Sequence, residues 1–87
     1  MKPHAARSGP ARNYEAITPG DTSANDFTQE CDAIYVGVTG NVAVVKCGET
    51  TAVTFVGVPA GTILPVRARR VNSTNTTATS LVALFTV

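Results

Sequence analysis

Three arginines within four positions, Arg67, Arg69 and Arg70, are the densest charged group in this chain. A guanidinium presents a planar fork that matches a carboxylate or a phosphate. In an extended segment Arg67 and Arg69 share one face, while Val66, Ala68 and Arg70 take the other. That spacing predicts an anchor for carboxylates on a neighbouring subunit, with an ordinary solvated face as the second reading. Phosphate contact ranks third, because no aromatic side chain stands nearby to stack a base.

Other reactive residue types are sparse. A Ser, Thr or Cys nucleophile needs a base oriented by a third group, yet the single histidine is His4, close to the N-terminus. Cys31 and Cys47 have no histidine beside them, and no Cys/His spacing fits a zinc site. Asp21, Asp26, Glu30 and Asp32 are oxygen donors, but their spacing matches no calcium loop. The chain is therefore read as non-enzymatic, with no cofactor and no metal. Asn72-Ser73-Thr74 and Asn75-Thr76-Thr77 match the N-glycosylation pattern. In so Thr-rich a loop the match is read as coincidence, and the hydroxyls are expected to satisfy loop backbone groups or a neighbouring subunit.

Composition narrows the class of partner. The net charge of +1 over 87 residues argues against the whole chain being an electrostatic ligand for nucleic acid or anionic membrane. Lys2, Arg7 and Arg12 precede the first acid, Glu15, and the acids cluster between 21 and 32. A basic region and an acidic one are thus expected apart, an arrangement suited to head-to-tail packing. No apolar run approaches the length of a membrane span. The N-terminus lacks the apolar core of a secretory signal. Assembly in a cytoplasm is expected, with both cysteines reduced.

The elements that must position these residues are strands. Thirteen threonines and twelve valines favour pleated, half-buried surfaces. Residues 1–13 carry Pro3, Gly9 and Pro10 and almost no large apolar side chain, so they read as a flexible basic arm. Residues 14–87 read as one β domain of about six strands. The strands are expected at Tyr14–Thr18, Ala33–Val38, Val42–Lys46, Thr51–Val58, Ile63–Val71 and Leu81–Val87. The second and third are expected to pair as a hairpin through Thr39-Gly40-Asn41. Pro65 interrupts the fifth and puts that end at an edge or bulge. Phe27 is expected to anchor the polar loop 20–32 to the core. The last strand is apolar on both faces, so it is either central between two layers or covered on one face by another chain. The predicted class is all-β, a small antiparallel sandwich or barrel of jelly-roll-like form. A domain this size buries only about 60–65% of its unfolded surface. Self-association or docking is the expected source of further stability.

The ordered segments AITPGDT, AIYVGVTGNVAVV, TFVGVPAGTILPVRARRV and NSTNTTATSLVALF, from about Ala16 to Phe85, resemble the head-spike base protein family of gene transfer agents and tailed phages. The best-marked part is VPAGTILPVRARRV with the Thr-rich loop after it. The resemblance implies a capsid-exterior virion protein without catalysis. It would act as cement or decoration, or as a spike base carrying a fibre. Implied partners are the major capsid protein, copies of itself as a trimer or pentamer, and, for a spike base, a fibre protein. Pro59, Gly61, Pro65, Arg67, Arg69 and Arg70 are the motif positions, read as structural or contact residues. The subunit contacts expected are Arg67, Arg69, Arg70, Lys2, Arg7, Arg12, Leu84 and Phe85. A host-glycan or receptor-binding module is the alternative, and it needs an exposed aromatic platform.

Overall fold

The computed structural model describes residues 10–46 and 48–86. Lys2, His4, Arg7, Cys47 and Val87 lie outside them. Seven strands form among the described residues: β1 (Asn13–Ala16), β2 (Ala33–Val38), β3 (Gly40–Val45), β4 (Ala52–Val58), β5 (Thr62–Leu64), β6 (Arg70–Asn72) and β7 (Thr79–Phe85). The only helical turn among the described residues is a short 3-10 turn at Ser23–Asn25. All strand pairs are antiparallel and make two sheets, ordered β1-β7-β2-β5 and β4-β3-β6. The architecture is a small β-sandwich.

Alternation along the strands builds the core. Ile34 and Val36 of β2 and Leu81, Ala83 and Phe85 of β7 point inward from the larger sheet. Val42 and Val44 of β3 and Val71 of β6 join them from the smaller one. Phe27, Phe55, Leu64 and Val66 pack at the margin of this cluster, so Phe27 anchors its loop as expected.

Two expectations about connection fail, each for a local reason. The hairpin between the second and third strands does not form: β2 pairs with β5 and β7, whereas β3 pairs with β4 and β6. Only Thr39 separates them, and the chain there turns from one sheet into the other. Gly40 makes this corner possible, since a Cβ at that position would collide with the Ala78 backbone. The segment Ile63–Val71 is likewise not one strand. It divides at Pro65 into β5, in the larger sheet, and β6, in the smaller. Proline has no N–H for a ladder, and residues 65–69 cross between layers, tied by the Cys31–Ala68 bridge. β7 lies inside its sheet between β1 and β2.

Candidate interaction surface

The three arginines occupy different environments instead of a shared strand face. Arg67 keeps 57% of its side chain exposed and pairs with Asp32 at 3.6 Å. Arg69 lies 3.8 Å from Asp26, and its Nε is buried without a hydrogen-bond partner. Arg70 is buried, donating to Asp26 at 2.8 Å and, through Nε, to Asn72 at 3.1 Å. The expected separation of basic and acidic regions therefore does not hold for this group. Loop 20–32 brings Asp26 and Asp32 back against residues 67–70, a contact that sequence distance concealed. Arg70, expected at a subunit contact, is occupied within its own chain.

Phe85, another expected contact, is fully buried among core residues, where its side chain holds the sandwich together. Leu84, its outward-facing neighbour, remains half-buried. Arg12 is exposed, and its backbone amide donates to the Phe85 carbonyl at 2.7 Å. Lys2 and Arg7 fall outside the described residues.

Hydroxyls and carboxylates fasten the loops. The Thr77 and Thr76 hydroxyls accept from the amides of Asn41 and Ala43 at 2.8 and 2.9 Å. Asp21 accepts from the Thr74 hydroxyl and amide, at 2.6 and 3.1 Å. Those two bonds, the hydroxyl first, hold the Asp21 carboxyl below its ordinary value of 3.8. Asn72, the first glycosylation-pattern residue, is half-buried, and its side-chain oxygen accepts from Arg70. Cys31 is free and buried, and burial pushes its thiol up to about 11. A thiol so rarely ionised is a poor nucleophile. No group of three or more metal-binding side chains occurs among the described residues.

What the fold does present is an apolar sheet face. On the side of the larger sheet away from the core, strand register aligns Tyr14 with Leu84 and Ala33. The next row aligns Ala16, Val82, Tyr35 and Ile63. Seven consecutive outward positions across four strands thus carry no charge. Tyr14, Tyr35 and Ile63 are exposed, at 68%, 37% and 55%. Beside them a depression of about 280 Å³ is lined by Pro10, Ala11, Asp32, Ala33, Ile63, Leu84 and Thr86. Part of the signal for this face was in the sequence: a last strand apolar on both sides. Register could not be read from the sequence, so the face could not be assembled there.

No family model matches the chain, and no curated protein matches it. Among solved structures, one chain of a structure described as the capsid of a native GTA particle computed with C5 symmetry aligns with a TM-score of 0.77. Identity is 32%, over 97% of this chain and 99% of that one. With that identity sustained over nearly the full length of both, the chain belongs to the same family as this component of the gene transfer agent capsid.

Proposed function

We propose that this protein is a non-enzymatic virion subunit on the exterior of a tailed-phage-type head, serving as capsid cement or as the base of a head spike. The observation that carries the reading is the uncharged outer face of the β1-β7-β2-β5 sheet. Sheets with one solvated face normally alternate apolar-in and polar-out, and a contiguous exposed apolar patch marks an interaction site. Burying that face against the major capsid protein or another copy, as a trimer or pentamer, supplies stability that a core of this size lacks. A standard interface of about 1,600 Å² in total suffices. Arg67 is the one arginine of the three exposed enough to reach a neighbour's carboxylate. The particle is assembled in the cytoplasm of the bacterial host.

The glycan-binding alternative gains one observation, since Tyr14 and Tyr35 are exposed on a common face. Around them, however, stand Ala16, Ala33, Ile63, Val82 and Leu84, which offer no side-chain hydrogen bonds to a sugar. An interface core has that composition.

The test replaces Tyr14, Tyr35 and Ile63 by lysine together. Circular dichroism is expected to stay that of the folded β domain, while occupancy on purified particles falls at least tenfold. Wild-type occupancy by the folded triple variant refutes the reading.

A further inference from the structure

The four outer strands of the sandwich are unequally protected. β5 is three residues long, with Pro59 and Pro65 on either side. β1 is four residues long and carries Glu15. The outer side of β6 is closed by its own chain: Gly20 donates to the Val71 carbonyl and Phe27 to the Arg69 carbonyl, at 3.0 and 2.8 Å. β4 differs from all three. Ala52-Val53-Thr54-Phe55-Val56-Gly57-Val58 is seven residues long, has neither a charge nor a proline, and has only β3 beside it among the described residues. Val53 and Val56 are exposed, Val56 at 78%. An edge of this kind presents unpaired backbone N–H and C=O groups and is a template for strand addition.

The surroundings of β4 specify its occupant. Val44, Val53, Phe55 and Val66 line an apolar notch of about 200 Å³ whose rim carries Lys46 and Arg67. Lys46, and Arg67 with 57% of its side chain exposed beside its Asp32 partner, complement a side chain that is apolar and flanked by a carboxylate. They disfavour a second β4 edge, which brings cations of its own.

We propose that β4 is extended by an extended segment of another capsid protein, with an apolar residue seated on Val53 and Phe55 and an acidic residue facing Lys46 and Arg67. This surface is separate from the apolar sheet face. The inference rests on the proposed virion role only for its partner, and the two can fail independently.

The test compares hydrogen–deuterium exchange of the full chain free in solution and bound to purified capsid shells prepared without it. Amides of 52–58 are expected to exchange at least tenfold more slowly on the shell. The double charge reversal Lys46→Glu with Arg67→Glu is expected to abolish that protection and to lower occupancy at least fivefold, with the free chain still folded by circular dichroism. Unchanged exchange at 52–58, while the outward residues of β1 and β7 become protected, overturns strand addition and leaves the virion role standing. Protection of 52–58 in the free chain at millimolar concentration, insensitive to the charge reversal, identifies self-pairing and also overturns it.

Discussion

At the scale of single residues, Asp26 holds two ion pairs among the described residues. It meets both Arg69 and Arg70, and Arg70 is almost wholly withdrawn from solvent. Removing one member of such a pair leaves a buried charge uncompensated. Asp26→Ala is therefore expected to destabilise the domain by about 3 kcal/mol in urea denaturation. Replacing exposed Arg67 by alanine is expected to change stability by under about 1 kcal/mol. Asp21 gives a pH-dependent counterpart. Its folded-state pKa is depressed by Thr74, so its contribution is full above the unfolded value and is lost as the pH falls through the lower folded one. Exchange of the Thr74 amide in the native chain is expected to keep its protection down to the ordinary carboxyl value of 3.8 and to lose it only below that. Asp21→Asn is expected to lose most of that protection at neutral pH as well. Cys31, with its thiol raised to about 11, is expected to resist alkylation until the protein unfolds, as mass spectrometry of native and urea-treated samples can show. None of these pairings was legible in the sequence, because each joins residues more than thirty positions apart.

At the scale of elements, the strands themselves were largely legible and their partners were not. Valine and threonine alternation marked β2, β3, β4 and β7 close to their observed limits. Pro65 marked the break that became the passage between sheets. The error lay at Thr39-Gly40-Asn41, where a glycine-bearing link between two β-rich runs reads equally as a hairpin turn or as a sandwich corner. What decides is the Thr-rich segment after β6. Its amides at 77 and 78 both donate to the Asn41 carbonyl, and its backbone lies too close to Gly40 for any side chain there. Gly40→Val is accordingly expected to prevent the corner from closing and to cost at least about 2 kcal/mol, measured as a lowered urea midpoint. Phe85→Ala, at the end of β7, is expected to cost about 3–5 kcal/mol, the signature of a core residue. An interface residue truncated in the isolated chain leaves stability nearly unchanged.

At the scale of the whole molecule, the sequence pointed to a capsid-associated subunit through its ordered resemblance and its shortage of catalytic groups. The fold and the gene transfer agent capsid relative agree with that class. The binding surface was legible only in part. The apolar last strand announced that one face needed an explanation, but the row of Ala16, Val82, Tyr35 and Ile63 exists only once four strands are in register. Arginines drew attention first because charge is visible without a fold. Two of the three are largely engaged in holding loop 20–32 to β6 and the segment before it. On the proposed function, the outer face of the larger sheet is buried in the assembled particle. A cryo-EM map of that particle tests it most directly. Continuous density from a neighbouring chain is expected over Tyr14, Tyr35, Ile63, Val82 and Leu84. A map in which this domain is bound to the shell with that face open to solvent contradicts it.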